Sequence, residues 1–579
     1  MRFRVRKRVD RPLVLQWLCA VSLLTGCLGP AETNDIAPSV QTVGDFQFGE
    51  PVVCDSPDPG FDRFINEAAS RGFSEPQTSG GAISPPQDTL LGGSFSVEDL
   101  DADGDLDVAM FQLTGEPRVL RNDGTGHYTT VPQGWSTDAT GLDMVAGQGA
   151  IDLNEDGLPD IVSSGPGRMR VSWNLGGLVF SAPERLYAPP KGADAGLHTT
   201  MSWGDLDGDG DLDVLLPGLI NLGILPSPPG SPGAREPEPG VADLVLRNDS
   251  GSFELVEELT PAGVPGGTFV STLTDRDLDG DLDLFVASEG GHYGAPLSAF
   301  YRNDMSEGAQ WSFVNDAPDL AADLPMSGMG VATWDFNEDG LFDYCLTDLG
   351  PAVCLVSLDG GPYTESATAL NLVPEGGEEL IFWSLEILDL DNDGAVDAVT
   401  SGGPPAPGAT GPDGAPIENQ PDVIWQGSWV DVGGQESPTF VDRTDELGFG
   451  DTADHYGLVA ADLSGDGFLD ILTMGNEGLP VLWMNQCGDG RWLEVELVGP
   501  PANQQGWGAR LEASVDGHTQ LHELQNIRAF AQGPSRFHIG AGDADVVDSL
   551  RIVWPDGEVS EAVDVPVNRA VIVRHSLAP

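Results

Sequence analysis

The stretch DLDADGDLD, residues 99–107, sets an aspartate at every second position around one glycine. Carboxylates at that spacing, in a loop curled by the glycine at its sixth position, can aim several oxygens at one point. They would hold a hard cation such as calcium, which takes six to eight oxygens. Without a cation the same carboxylates repel one another. One acidic run reads as a solvated face, but this run returns as DLNEDGLPD (152–160), DLDGDGDLD (205–213), DRDLDGDLD (275–283), DFNEDGLFD (335–343), DLDNDGAVD (389–397) and DLSGDGFLD (462–470). Seven copies of D-x-[D/N/S]-x-D-G-x-x-D predict up to seven calcium ions. The copies are not equal: loops one, three, four and six carry four carboxylates at positions 1, 3, 5 and 9, while Asn154, Asn337 and Ser464 each replace one in loops two, five and seven. Fewer charges predict weaker binding.

The loops start 53, 53, 70, 60, 54 and 73 residues apart, and Pro/Gly-rich insertions at 217–240 and 401–421 account for the two longest steps. A unit of about 53 residues has room for four short strands. In the first unit these are SFSVE and DVAMFQL on either side of the loop, then RVLRN and HYTTV around the turn NDGTG. A calcium β-roll has a far shorter period. The expected fold is all-β, a seven-bladed β-propeller over 51–487 whose radial repetition leaves few exposed sheet edges. Residues 488–579, with alternating strands and Gly/Asp turns, form a small C-terminal all-β domain.

The seven loops, with Gly-x-x-x-x-Asp entries such as GLVAAD (457–462), resemble the FG-GAP/VCBS repeats of integrin α subunits. The tail, through RWLEVELVGPPANQQGWGARLEASVDG, FHIGAGDADVVDSLRIVWPDG and NRAVIVRH, resembles the ASPIC/UnbV domain of cartilage-acidic-protein-like chains. The first resemblance implies side-chain ligands at positions 1, 3, 5 and 9 and a backbone carbonyl at position 7. The side chains are Asp99, Asp101, Asp103 and Asp107; Asp152, Asn154, Asp156 and Asp160; Asp205, Asp207, Asp209 and Asp213; Asp275, Asp277, Asp279 and Asp283; Asp335, Asn337, Asp339 and Asp343; Asp389, Asp391, Asp393 and Asp397; and Asp462, Ser464, Asp466 and Asp470. The carbonyls are those of Asp105, Leu158, Asp211, Asp281, Leu341, Ala395 and Phe468.

The N-terminus reads as an export signal over 1–26, with a basic start MRFRVRKRVDR and an apolar core. LTGC (24–27) resembles the bacterial lipobox, which implies lipidation of Cys27; no Asp follows it as an inner-membrane retention signal, so an outer-membrane lipoprotein is expected. The apolar run is too short to span a bilayer comfortably, so the membrane contact is the lipid anchor alone. Residues 27–50 read as a flexible tether.

An exported compartment permits disulfides. Cys345 and Cys354 lie symmetrically about Leu349-Gly350, as in a hairpin. Cys54 lies upstream of FDRFINEAASRGF (61–73), which echoes FVDRTDELGF (440–449) ahead of loop seven, and Cys487 ends the strand leaving that loop. This places Cys54–Cys487 as a clasp across the seam of the ring, although four cysteines formally allow three pairings.

With 92 Asp+Glu against 26 Lys+Arg, and six of those bases in the first eleven residues, the chain would repel nucleic acid. Neither G-x-S-x-G nor H-E-x-x-H occurs; His518 and His522 sit in a strand-like stretch as surface or packing residues, and His538 carries no recognisable chemistry. The expected function is a surface-anchored calcium-binding scaffold whose loop face and tail contact a protein or glycan. The alternative is an enzyme or accessory factor acting on a polysaccharide or natural product.

Overall fold

A computed structural model describes residues 41–579 apart from 55–62, 77–93, 112–115, 137–144, 166–167, 189–195, 222–240, 261–266, 289–296, 306–310, 359, 374–379, 405–416, 418–419, 432–435, 451–453, 476–477 and 527–528. The export signal, Cys27 and most of both insertions lie outside the described residues.

The fold is all-β and propeller-like, with seven successive sheets in the ring among the described residues, six of them four-stranded and antiparallel and the first extended by Ala531–Gln532 as a fifth, parallel strand. Their first strands are Ser94–Glu98, Gly147–Ile151, Ser202–Gly204, Thr268–Thr274, Val331–Trp334, Phe382–Leu388 and Gly457–Ala461. Sheet one packs its first strand on that of sheet two, sheets three to seven pack in series, and sheet seven meets sheet one again. Sheets two and three share a core through Ile151, Val162, Met169, Trp203 and Val214. First strands such as SFSVE and GQGAI are buried along their whole length, whereas fourth strands such as YTTV are mostly open to solvent. That gradient is what a radial arrangement imposes, because inner strands are flanked by neighbours on both faces.

Sheet seven takes its fourth strand, Phe64–Asn66, from the N-terminal side of the ring, pairing Phe64 with Asn485. The echo between 61–73 and 440–449 reflects this, since the latter region supplies the fourth strand of sheet six. Cys54 and Cys487 are bonded beside it, with Cα atoms 5.7 Å apart. Cys345 and Cys354 face each other across a hairpin and are also bonded.

The C-terminal domain packs a mixed sheet against a four-stranded antiparallel one around Leu493, Trp507, Phe537, Ile552, Trp554 and Val573. The stretch expected as tether departs from that reading at its end. Gln41–Val43 and Phe46–Phe48 form a hairpin that adds to this sheet, pairing Phe46 with Val573. Phe46 is buried in the domain core, and Asp45 takes a hydrogen bond from Ser560. The physical reason is the alternation of Phe46, Gln47 and Phe48, which gives one apolar edge to an otherwise polar run.

The clasp closes a loop of more than four hundred residues, so removing it releases far more chain entropy than removing the hairpin bridge. Replacing Cys54 and Cys487 together by serine is expected to cost about 5 kcal/mol, against about 2.5 kcal/mol for Cys345 and Cys354. Calorimetric unfolding of the two double variants checks the order, and equal losses contradict it.

Candidate functional site

Each acidic loop is built by its own carboxylates. The position 1 aspartate accepts the N–H of the glycine at position 6 in all seven loops, for example Gly104 N to Asp99 Oδ2 at 2.9 Å and Gly394 N to Asp389 Oδ2 at 2.7 Å. The position 5 carboxylate accepts the N–H of position 7, again in all seven. These bonds hold two left-handed residues per loop. Position 6 is always glycine, but position 4 is Ala102, Glu155, Leu278, Glu338 or Asn392 in five loops, with φ between 53° and 60°. A side chain there costs on the order of 1–2 kcal/mol.

The position 9 aspartate begins the second strand and is buried. One oxygen accepts a backbone N–H from the third strand in every sheet, as Asn122 N does to Asp107 Oδ1 at 2.9 Å. The residue making that bond is Asn in five sheets, and four of these asparagines reach into the neighbouring sheet. Nδ2 of Asn122, Asn174, Asn303 and Asn485 donates to the carbonyls of Leu463, Leu100, Leu206 and Leu390, each at position 2 of another loop, at 2.8–2.9 Å. Sequence reading did not single out Asn174 or Asn485 and took Asn122, Asn248 and Asn303 as turn residues. Their signal was the recurring RND of 121–123, 247–249 and 302–304.

After these bonds, carboxylate oxygens remain that no protein group satisfies. Asp101 Oδ1, Asp160 Oδ2, Asp207 Oδ1 and Asp281 Oδ1 are buried without a hydrogen-bond partner. One oxygen from each of Asp99, Asp101 and Asp107 lies within 4.8 Å of the others, as do those of Asp205, Asp207 and Asp213 and those of Asp275, Asp277 and Asp279. Burial, chiefly, pushes Asp107, Asp160, Asp213, Asp283, Asp343 and Asp462 up to about 8. It pushes Asp152, Asp205, Asp275 and Asp335 to about 6, and raises Asp389, Asp397 and Asp470 well above the ordinary range. Neighbouring aspartates add to the rise. An all-oxygen, anionic, partly buried donor set fits a hard divalent cation.

The predicted ligands are used unevenly. Asn154 and Asn337 turn an amide oxygen to the position 5 N–H, and Asn337 spends its Nδ2 on Ser357 O. Asp211 turns to Ser250 N on the third-strand turn, and Asp105 lies against Gly124. In loop seven, Asp466 Oδ2 stands 3.4 Å from Cys54 Sγ, so the clasp borders that loop. In a separate cluster of Asp556, Glu558 and His575 the ring nitrogens are engaged by hydrogen bonds within the protein. His575 Nδ1 accepts Leu577 N–H, which leaves Nε2 as the N–H donor to Asp556 and Glu558.

The loop face is partly covered, with the tips at 102–104, 154–157 and 208–210 left exposed. The C-terminal domain sits on it. Gln504 donates to Asp152 of loop two, Arg510 pairs with Asp275 of loop four, His518 meets Glu338 of loop five, His538 meets Asn392 of loop six, and Arg536 donates to Gly104 O of loop one. A Cβ on Gly540 would stand 1.7 Å from Asp389 Oδ2, and one on Gly467 of loop seven 1.8 Å from Trp492. His518 also stacks on Trp429, and His522 packs edge-on against Trp334, so both serve this seam. From the domain, residues 523–526 and 529–535 enter the centre of the ring. Gln532 bonds both the N–H and C=O of Ala150, Asn526 bonds Trp203 and Met201, and Ala531-Gln532 pairs in parallel with Phe95-Ser96. Phe530 ends among Phe269, Trp383 and Tyr456 at the far end of the inner strands.

The comparisons agree with this architecture. The family described as FG-GAP-like repeat matches residues 152–216, and ASPIC and UnbV matches 499–579. The chain thus joins FG-GAP-like repeats to a C-terminal ASPIC/UnbV domain. No curated protein matches it. Among solved structures it is similar to an Agrocybe aegerita lectin that recognises non-reducing terminal N-acetylglucosamine, at 17% identity and TM-score 0.38, over 62% of this chain and 81% of that one. It is also similar to BBS1N in complex with ARL6DN (9% identity, TM-score 0.36, 69% and 93% covered) and to Saccharomyces cerevisiae Sqt1 (10% identity, TM-score 0.34, 66% and 81% covered).

Two outcomes follow from the geometry. Asn174→Ala removes two bonds to buried carbonyls, one of them across sheets, and is expected to lower unfolding stability by about 2 kcal/mol; an unchanged denaturant midpoint contradicts the tie. In metal-depleted protein, carboxyls with folded values of about 6 to 8 stand far above their unfolded value near 3.9. Their contribution is complete below the unfolded value and is lost as pH rises through the folded one. The melting temperature of the metal-depleted chain therefore falls between pH 5 and pH 8. A rise over that range contradicts the assignment.

Proposed function

We propose that this chain is a calcium-stabilised binding scaffold of the cell envelope, exported and lipid-anchored through Cys27, that engages a protein or glycan partner. The observation that carries the calcium reading is that carboxylate oxygens converge in loops one and three while buried oxygens of Asp101, Asp160 and Asp207 have no hydrogen-bond partner. In each loop that takes an ion, the side chains at positions 1, 3, 5 and 9 and the carbonyl at position 7 would hold it. The ion would supply the charge that permits burial, and the position 1 aspartate would orient the turn through its bonds to the backbone.

Three features support binding rather than chemistry. The ring is rigidified by sheet-to-sheet asparagine ties, residues 523–526 and 529–535 enter its centre, and the C-terminal domain packs against part of its loop face. Loops on a rigid frame are where recognition usually resides.

Calorimetric titration of metal-depleted protein tests the reading. Calcium is expected to bind at several sites with Kd on the order of 10⁻⁴–10⁻³ M, as in extracellular modules. Saturating calcium should raise the melting temperature by many degrees, because a ligand of the native state stabilises by mass action. Asp209→Ala in loop three should remove more of that rise than Asp466→Ala in loop seven, where Ser464 already replaces one carboxylate. A melting temperature indifferent to calcium would sink the proposal.

A further inference from the structure

Loop four departs from the others at its second position. Arg276 stands where Leu100, Leu153, Leu206, Phe336, Leu390 and Leu463 stand elsewhere. Those apolar side chains enter the core, most of them fully buried. Arg276 is also buried, with its side chain 8% exposed, but its guanidinium turns into the acidic loop. Nη2 lies 3.3 Å from Asp277 Oδ2 and 3.2 Å from Asp316 Oδ2, and Nε lies 3.6 Å from Asp283 Oδ2. A second guanidinium comes from the C-terminal domain, where Arg510 Nη1 is 3.5 Å from Asp275 Oδ2. Positions 1, 3 and 9 of this loop thus all face a cation the protein itself supplies.

The ligand geometry changes accordingly. In loops one and three the converging oxygens belong to positions 1, 3 and 9, whereas in loop four they belong to positions 1, 3 and 5, and Asp283 faces Arg276. Loop one also has an arginine nearby, since Arg121 reaches Asp101 at 2.7 Å. That side chain is 41% exposed, and Asp107 still converges with Asp99 and Asp101. A guanidinium keeps its charge at any working pH and is tethered in place. A divalent ion entering loop four would meet fixed positive charge beside the oxygens it needs.

We propose that loop four takes no divalent cation, and that Arg276, aided by Arg510, is its resident counter-charge. Loop four is then the one acidic loop whose order is independent of calcium, and Arg510 makes it a metal-independent seat for the C-terminal domain. This rests on the calcium reading of the other loops.

Equilibrium dialysis of the full mature chain with metal analysis tests it by counting bound calcium. Asp209→Asn in loop three is expected to lower the count by one, whereas Asp279→Asn in loop four leaves it unchanged. Arg276→Leu, which installs the residue type of the other loops, is expected to add one ion. In metal-depleted buffer it should also melt well below the unsubstituted protein, with calcium restoring the difference. Loss of one ion in Asp279→Asn overturns the proposal, as does an Arg276→Leu chain that melts like the parent without metal. If the unsubstituted protein binds no calcium at all, the calcium reading itself fails; the metal-free melting of Arg276→Leu still reports whether the guanidinium neutralises the loop.

Discussion

Buried like charge must be neutralised, and most of this structure follows from how that is done. Seven times the chain folds a carboxylate-rich turn against the inner strands and seals its last aspartate into the start of a strand. Hydrogen bonds to the backbone absorb part of the cost. Asp107, for example, accepts from both Leu100 N and Asn122 N, yet burial still drives its carboxyl up to about 8. Backbone dipoles alone do not offset the desolvation. Under the proposed reading a cation would complete the balance, and in loop four the Arg276 guanidinium stands against Asp277 and Asp283.

The same aspartates make the repeat cooperative. Position 9 grips the third strand of its own sheet, and in four sheets the asparagine it grips reaches a neighbouring loop, so a loop that loses its shape there loosens two sheets. The C-terminal domain extends this coupling. It rests on six of the loops, shares a core with sheets two and three, and threads residues 523–526 and 529–535 into the ring. The hairpin of Gln41–Val43 and Phe46–Phe48 ties the start of the described chain to that same domain, and the Cys54–Cys487 clasp lies one step further along. Ring, plug and clasp form one closed unit.

What could be read in the sequence was what repeats or lies close by. The ligand spacing recurs seven times, the echo of 440–449 in 61–73 marked the strand that closes sheet seven, and the symmetry about Leu349-Gly350 marked the hairpin disulfide. What stayed hidden depends on contacts between distant residues. Phe46 gains its meaning only from Val573, and three residues of alternation are too short to stand out. Gln532 looks like any polar turn residue until it meets Ala150. Arg276 is a single departure in a seven-fold pattern, and its side chain could as well have pointed to solvent. The seating of the C-terminal domain over the loops leaves no local trace, because glycines such as Gly540 and Gly467 serve close approach there rather than turn formation alone.

The most direct test of the account is a crystal structure of the mature chain grown in calcium, with anomalous scattering collected to locate the ions. The account predicts peaks inside loops one, two, three, five, six and seven, each ringed by oxygens at about 2.3–2.6 Å, and an Arg276 guanidinium in place of a peak in loop four. Acidic loops without peaks, their carboxylates splayed toward solvent, would contradict it.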